Sequence, residues 1–389
     1  MHGEVPEVLA ARRKGVAMRT PSSGAQRPEQ MRLLELPYRV GIIGCGGMAH
    51  GHAQAYQAVP RVQLVCCADI DPQRLESFRR QYHIPFGYTD YREMLQKERP
   101  DLVSIVTWPG LHSEMTLEAA RAGVRGILCE KPLALTLEEA DRMLQVCQER
   151  GTILLVNHQR RWDLLYETAR DLVQAGEIGQ LLELGGSMVG SDLFTDATHA
   201  VDLFRFFNAD GGVDWVYAQV TYNGRVRYGH PVEDLALVTF RFENGSWATL
   251  RTGRIPEPSF EKGIPFGPVT PYCASRLVGT RGVLEVSGDR REPRLYLMRS
   301  GAVGWKVVEP GTPHAEPAMV RSIRALLRSI EEGTPHRNDA FHGRAAIEVI
   351  IAALLSAAER APVRLPLKAP GLSVEALFEQ LRADSEAEG

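Results

Sequence analysis

Residues 38–49 read Tyr-Arg-Val-Gly-Ile-Ile-Gly-Cys-Gly-Gly-Met-Ala, and this stretch decides the fold. A short apolar run ends in a Gly-x-Gly-x-x-Ala pattern and passes directly into a helical pattern. At such a turn Gly44 permits the tight bend, Gly46 lets the backbone approach a pyrophosphate, and Ala49 lets the helix pack closely on the strand. The stretch therefore predicts the first strand and the phosphate turn of a dinucleotide-binding fold.

Apolar runs and helical patterns then alternate as far as residue 157. The runs are VQLVCCAD, DLVSIVT, GILCEKP and TILLVNHQ, and the helices are predicted near 48–58, 72–83, 112–123 and 136–150. Strands that are apolar throughout and flanked by helices belong to a parallel sheet covered on both faces. Thr136 and Glu139 form a capping-box pattern, and Gly151 is placed to end that helix. We predict an α/β, doubly wound Rossmann domain over 38–157.

The sequence pattern changes after a helix predicted at 162–176. Alternating polar and apolar residues occur in LLELGGSMVG, VDWVYAQVTYNG, ALVTFRF, SWATLRTG, GVLEVSG, RLYLMRS and WKVVE, with ENGS as a hairpin turn. Further helices are predicted at 319–333 and 339–360. The pattern predicts an α+β domain over 158–368 with a large, open, mostly antiparallel sheet. Its uncovered face is a candidate interface for a homodimer or homotetramer.

The two ends of the chain carry weak patterns. Residues 1–37 contain few periodic apolar residues and are predicted to be a disordered arm, with docking on a partner subunit as the alternative. No signal-peptide apolar region is visible there. Residues 369–389 are predicted to form a C-terminal tail with a short helix.

Composition excludes several classes of protein. The 389 residues include 45 basic and 48 acidic side chains, a net charge of -3, so no global basic field exists to attract a nucleic acid. No apolar run approaches the roughly 18 to 20 residues of a membrane span. The six cysteines form no Cys-x-x-Cys pair and lie mostly in apolar stretches. They indicate buried, reduced thiols and a cytoplasmic location.

The choice of dinucleotide depends on the end of the second strand. Asp69 lies 25 residues after Gly44, where a carboxylate can accept hydrogen bonds from the adenosine ribose. Such a carboxylate repels a 2'-phosphate, which favours NAD. Arg74 is either a ligand for that phosphate or an exposed helix residue, so NADP stays open.

Lys131 follows another predicted strand, in Glu130-Lys131-Pro132. Ligands of doubly wound sheets bind at the carboxyl ends of the strands, and the proline holds the lysine backbone extended. Its ammonium could hold a substrate hydroxyl and stabilise a developing alkoxide. The alternative is a surface lysine at a strand end.

His199 lies within the first turn of a helix predicted at 196–207, with Thr195 or Asp196 as its cap. The helix dipole disfavours imidazolium there, and a neutral imidazole suits a general base. The alternative is a histidine bonded structurally to the cap. Asn157 and Arg161, where the chain leaves the first domain, are candidates for binding substrate hydroxyls or a carboxylate, or else for a junction salt bridge.

Two other patterns are assigned no chemistry. His50 and His52 resemble a metal pair, but no carboxylate or cysteine set accompanies them at ligand spacing, so no metal site is predicted. Cys66 and Cys67 are adjacent on a strand and must face opposite sides of the sheet.

The stretch TWPGLHSEMTLEAARAGVRGILCEKPLA resembles the Gfo/Idh/MocA oxidoreductase family. VGIIGCGGMAHGHAQAY, NHQRRW, AGEIGQL, GTRGVLEV and VRLPL are also similar, so the resemblance covers 38–368. It implies an NAD(P)-dependent dehydrogenase or reductase that acts on a sugar, cyclitol or related polyol. It also implies that the Thr-x-Pro loop, the following histidine and the Glu-Lys-Pro lysine line the cofactor. The predicted cofactor site comprises Gly44, Gly46, Gly47, Met48, Asp69, Arg74, Thr107, Trp108, Pro109, His112, Glu130 and Lys131.

Many members of that family carry Asp-x-x-x-His-x-x-Asp at the reacting carbon. Here Thr195 stands four residues before His199, Asp196 stands three before it, and Asp202 matches the last aspartate. Residues three or four apart lie on the same face of a helix, so a catalytic role for Asp196 stays open. The predicted catalytic residues are Lys131, His199 and Asp196. The predicted substrate-binding residues are Lys131, Asn157, Arg161, Thr195 and His199.

The sequence thus predicts a cytoplasmic NAD-dependent oxidoreductase that moves hydride between nicotinamide and a secondary alcohol of a sugar or cyclitol. An NAD-dependent glycosidase, which oxidises, eliminates and reduces again, is one alternative. A non-catalytic NAD-sensing regulator is the other. Substrate selectivity is assigned to the strands and loops between 181 and 275, including GRVRYGHPVED.

Overall fold

The computed structural model describes residues 37–253, 274–288, 294–311, 316–368 and 371–388. The predicted arm lies outside these residues apart from Pro37. The segment 254–273, to which part of the substrate selectivity was assigned, also lies outside them.

The first six strands form one parallel sheet. They are β1 Tyr38–Ile43, β2 Val62–Ala68, β3 Phe86–Tyr88, β4 Leu102–Ile105, β5 Gly126–Cys129 and β6 Ile153–Val156. Their order is β3-β2-β1-β4-β5-β6, so the direction of strand addition reverses between β1 and β4. Ligands of such sheets bind at the carboxyl ends of the strands beside this reversal. The prediction of a doubly wound α/β fold is confirmed.

Five helices cover the two faces of this sheet. They are α1 Gly47–Gln57, α2 Pro72–Gln81, α3 Tyr91–Glu98, α4 His112–Arg121 and α5 Leu137–Arg150. The capping box at Thr136 and Glu139 is formed, and Gly151 ends α5 with φ 69°. The sequence prediction omitted β3 and α3, which have only 3 and 8 residues.

The second sheet has nine strands in the described part of the chain. Seven are β7 Leu181–Val189, β8 Val213–Thr221, β11 Leu235–Phe242, β12 Trp247–Gly253, β13 Ala274–Gly279, β14 Gly282–Ser287 and β15 Arg294–Arg299, and β16 Lys306–Val308 and β17 Val363–Arg364 lie at its two edges. Only β7 and β12 pair in parallel, so the predicted mostly antiparallel sheet is confirmed. Two short strands, β9 Val226–Arg227 and β10 His230–Pro231, form a separate hairpin.

The remaining helices are α6 Leu164–Gln174, α7 Thr198–Phe207, α8 Ala318–Glu332, α9 Ala340–Glu359 and α10 Val374–Glu388. Helix α9 packs on β6 of the first sheet and on β8 of the second. Its length and apolar composition would suffice to cross a membrane, although no run of that kind was recognised in the sequence. In its most apolar 18-residue stretch, 67% is buried inside the protein. The apolar composition is therefore explained by the place of this helix in the protein core.

Arg161 is a structural residue, and its predicted role in substrate binding is wrong. Its side chain is only 1% exposed, with Nε donating to Asp202 at 2.7 Å and Nη2 lying 2.7 Å from Asp210. Burial alone would lower the pKa of Arg161, but the two carboxylates raise it above its usual value. The junction salt bridge, which was the alternative, is the arrangement observed.

Replacement of Asp202 by alanine should lower the free energy of unfolding by about 3 to 5 kcal/mol, since it removes the buried one of the two carboxylates that compensate the Arg161 guanidinium. Asp214→Ala is the matched control, because its partner Arg364 has a side chain that is 78% exposed. That change should cost less than about 1 kcal/mol. Urea denaturation of both variants measures the difference, and equal losses would contradict this account of the junction.

Candidate active site

A cleft of about 770 Å³ opens at the carboxyl ends of β1, β4 and β5, and α7 and the β9–β10 hairpin line its other side. It contains most of the predicted site residues: Gly44, Gly46, Gly47, Met48, Asp69, Arg74, Thr107, Trp108, Pro109, Glu130, Lys131, Thr195, Asp196 and His199. His112, Asn157 and Arg161 do not line it. Gln159, Arg160, Arg227 and Tyr228 line it without having been predicted.

The glycine turn leaves room for a pyrophosphate. Gly44 has φ 91°, and a Cβ there would lie 2.3 Å from the carbonyl oxygen of Val106, so a larger residue is excluded. At Gly46 and Gly47 an added Cβ would meet no atom within 4 Å. Both glycines line the cleft at the N-terminus of α1, where backbone amides favour an anion. The residues present therefore fit the phosphates of a dinucleotide.

Asp69 is held rigidly at the end of β2. One carboxylate oxygen accepts the N–H of Cys45 at 2.8 Å, and the other accepts the N–H of Asp71 at 2.9 Å. Arg74 lies beside it, with Nη1 3.5 Å from Asp69 and Nη2 3.0 Å from Asp71. The carboxylate thus faces the cleft where an adenosine ribose would lie, and the half-exposed guanidinium is engaged by two carboxylates.

Glu130 forms the floor of the cleft with two buried partners. Its Oε1 lies 2.8 Å from His52 Nε2 and accepts the amide N–H of Asn157 at 2.7 Å. Burial alone would raise the pKa of Glu130, but His52, Asn157 and the nearby Lys131 lower it to about 2. Asn157 is itself fully buried. The predicted contact with substrate is not seen in the structure, because Asn157 does not line the cleft and its amide N–H is bound to Glu130.

His112 supports the Thr-x-Pro loop from below, so its predicted contact with the cofactor is wrong. The ring is fully buried and lies between two carbonyl oxygens, with Nδ1 2.8 Å from Pro132 and Nε2 3.1 Å from Thr107. Burial lowers its pKa. It joins the loop that carries Trp108 to the segment after Lys131.

Lys131 connects the first sheet to the segment before α7. Its Nζ donates to the carbonyl oxygen of Thr195 at 3.2 Å and to Asp196 Oδ1 at 3.3 Å. The helix begins at Thr198 with Ala197 at its N-cap, so the predicted capping by Thr195 or Asp196 is wrong. The carboxylate of Asp196 is instead turned toward Lys131 and Arg227.

His199 is the second residue of α7 and is only 3% exposed. Burial lowers its pKa well below the usual value, and the positive charges of Arg160 and Lys131 lower it further. The imidazole is therefore neutral at pH 7 and can accept a proton. Its ring also lies edge-on to that of His158, with centroids 5.4 Å apart.

The β9–β10 hairpin supplies two further side chains. Arg227 binds Asp192 and Asp196, and Tyr228 lies against Trp108 with ring centroids 5.5 Å apart. The aromatic pair joins the hairpin to the Thr-x-Pro loop at the rim of the cleft. The sequence marked this region as a determinant of selectivity but did not show which side chains reach the site.

His50 and His52 bind different partners. His50 Nδ1 lies 2.9 Å from the hydroxyl of Tyr82, whereas His52 binds Glu130 and, through Nδ1, Ser104. Among the residues that the structure describes, no group of three histidine, cysteine, aspartate or glutamate side chains could hold a metal ion.

The Rossmann sheet, the glycine turn and the cleft define a dinucleotide-binding protein. Residues 38–158 match the family described as "Oxidoreductase family, NAD-binding Rossmann fold", and 189–365 match its C-terminal alpha/beta domain. The chain belongs to this Gfo/Idh/MocA family of NAD(P)-dependent oxidoreductases, and its first domain is an NAD-binding Rossmann domain.

Similar proteins of established activity include two inositol dehydrogenases. The myo-inositol 2-dehydrogenase of Thermotoga maritima is 24% identical over 84% of this chain and 98% of its own length. The NAD-dependent scyllo-inositol 2-dehydrogenase of Bacillus subtilis is 26% identical over 86% and 98%. A solved levoglucosan dehydrogenase, in complex with NADH and levoglucosan, has a TM-score of 0.73 at 21% identity, over 85% of this chain and all of that one.

Replacing Gly46 by valine should weaken NADH binding at least about tenfold, a loss of roughly 1.4 kcal/mol, with little change in Tm. The backbone of Gly46 is in the β region, which valine adopts freely, so its side chain would only fill the space for the pyrophosphate. Gly51→Ala, in the helix that Gly46 caps and outside the cleft lining, is the control and should bind NADH normally. Fluorescence titration measures both. Unchanged binding by the Gly46 variant would place the pyrophosphate elsewhere.

Proposed function

We propose that this chain is an NAD-dependent dehydrogenase of a sugar or cyclitol, acting on a secondary alcohol or, in reverse, on the ketone. The observation that carries the proposal is that Lys131, which follows β5, and His199, on α7, line the same cleft. NAD, when bound, accepts the hydride from the alcohol carbon. The names of the inositol and levoglucosan dehydrogenases support the substrate class.

Each catalytic group has a distinct task. His199 is neutral and takes the hydroxyl proton, as a general base requires. Lys131 carries a positive charge and donates to the same oxygen, which stabilises the alkoxide as it forms. Asp196 binds the ammonium of Lys131 and so positions it. In the direction of reduction His199 returns the proton.

The proposal assigns a different role to each of the two domains. Residues 38–157 bind the cofactor, and residues 158–368 bind the substrate and form the contacts between subunits. The open face of the second sheet exposes Leu235, Leu237 and Trp247 by 43%, 48% and 40%, which supports a homodimer or homotetramer through that face. Five buried free cysteines among the described residues support a reducing, cytoplasmic location.

Lys131→Met and His199→Ala should each lower kcat by about 100-fold or more, in line with the contribution of a general acid or base. NADH binding should change little. Lys97→Met is the matched control, since Lys97 is exposed on α3 and pairs with Glu93. NADH formation with a panel of polyols is the measurement.

Two outcomes would redirect the assignment. Cleavage of aryl glycosides with no net NADH favours the NAD-dependent glycosidase. NADH binding without any turnover, unaffected by either substitution, favours the non-catalytic sensor.

The pH dependence of kcat/KM follows from the state of His199. The base must be unprotonated, and burial holds its pKa below the usual 6.5. Activity should therefore stay constant as the pH falls to 6.5 and decline only below it. A loss of activity centred at or above pH 6.5, and absent from the residual activity of His199→Ala, would contradict a depressed pKa for this base.

A further inference from the structure

Glu233 is a fully buried acid outside the cleft lining. It lies between β10 and β11, and its Oε1 accepts the backbone N–H of Leu193 at 2.7 Å and the hydroxyl of Thr252 on β12. Its Oε2 is also buried and has no hydrogen-bond partner in the part of the chain that the structure describes. Within that part, no donor stabilises a negative charge on Oε2, and burial of an unpaired carboxylate is costly.

The surroundings of Glu233 favour its protonated form. Burial raises the pKa of Glu233, the hydrogen bond from Thr252 lowers it in part, and the charge of Asp192 raises it again, which leaves it at about 8. Asp192 is itself fully buried, one residue before the Leu193 N–H that Glu233 binds. The carboxyl group of Glu233 is therefore mostly protonated at pH 7.

The other titratable side chains on the hairpin and beside Glu233 are bound to different groups. Their contacts are Arg225 with the backbone carbonyl oxygen of Glu233, Arg227 with Asp192 and Asp196, His230 with Thr195, and Asp234 with the N–H of Asn223. The carboxyl group of Glu233 thus has no cationic partner among the described residues. Only its proton prevents a second negative charge beside Asp192.

The segment that Glu233 binds also holds Lys131. Two residues after Leu193, the carbonyl oxygen of Thr195 accepts a hydrogen bond from Lys131 Nζ at 3.2 Å. The next residue, Asp196, accepts a second bond from the same Nζ at 3.3 Å. A shift of this segment would therefore move both acceptors of the lysine.

We propose that Glu233 is a positioning residue for Lys131 and that it acts in its protonated form. The neutral carboxyl group holds Leu193 and, through it, the two acceptors of Lys131. When the proton leaves to solvent, a second negative charge lies beside Asp192 without a compensating donor, and the segment moves to let water reach the carboxylate. Lys131 is then displaced from the reacting oxygen, and turnover falls at alkaline pH. The effect on turnover rests on the proposed dehydrogenase function.

The protonation of Glu233 is tested through stability, without any substrate. A glutamate in the unfolded chain ionises near pH 4.3, to about the usual extent, so between about pH 5 and pH 8 the folded protein holds a proton that the unfolded chain has lost. The stability that this proton provides declines as the pH rises through that range. The Tm of Glu233→Gln, which keeps a neutral group of the same shape, minus that of the wild type should therefore increase from pH 5 to pH 8. Glu149→Gln, exposed on α5, is the control and should give a constant difference.

The position of the segment is tested by hydrogen exchange of the peptide that contains Leu193. Its protection, corrected for the intrinsic effect of pH, should fall between pH 7 and pH 9 in the wild type and stay constant in Glu233→Gln. Turnover of myo-inositol with NAD should follow the same course. The wild-type kcat should decline about tenfold from pH 7 to pH 9, because one pH unit above the pKa about a tenth of the acid keeps its proton. Glu233→Gln should lack this decline, whereas Glu233→Ala should already lose activity at pH 7.

The outcomes separate this inference from the proposed function. A Tm difference that does not grow with pH, or protection that is constant in the wild type or falls equally in Glu233→Gln, overturns the role of Glu233 and leaves the dehydrogenase intact. An alkaline decline of kcat that Glu233→Gln retains also overturns it. If myo-inositol is not oxidised, the Tm and exchange measurements still decide on Glu233, since neither needs a substrate.

Discussion

A positively charged lysine held at the end of a parallel strand is the constraint on which the site depends. Lys131 must keep its ammonium largely out of water and point it at one place, and the chain achieves this by linking it to Asp196 and the Thr195 carbonyl oxygen. These acceptors belong to the second half of the fold. The same contact therefore positions the lysine and brings α7, with His199, to the cofactor cleft.

Other buried charges around this contact are also compensated by neighbouring polar or charged side chains. Beneath Lys131, Glu130 stays ionised because His52 and Asn157 offset its burial. Behind His199, Arg161 and Asp202 offset each other in the same way. Removal of a single member of such a buried set leaves a charge without a partner, which is costly. His52, Asn157, Arg161 and Asp202 are consequently supports of the site, although their side chains do not line the cleft.

Features specified by neighbouring residues could be predicted from the sequence. Gly44, Gly46 and the capping box of α5 act through local backbone geometry, and the periodicity of the strands separated the two sheets correctly.

The wrong assignments share another cause. Asn157, Arg161 and His112 have the chemistry of ligand-binding side chains, but their partners are Glu130, Asp202 and the Pro132 carbonyl oxygen, 20 to 41 residues away. Arg227 and Tyr228 were missed because a two-residue strand has no periodicity and its place depends on contacts with Thr195 and Asp196. Such pairings follow from tertiary structure alone.

In the proposed reaction, hydride leaves a carbinol carbon in the cleft beside Lys131 and His199. The most direct test uses the sugar or cyclitol that gives the fastest NADH formation, deuterated at the carbon that is oxidised. Mass spectrometry of the NADH formed should show one deuterium per molecule, transferred directly from the substrate. NADH without deuterium, or glycoside cleavage in which no labelled NADH is released, would contradict the account.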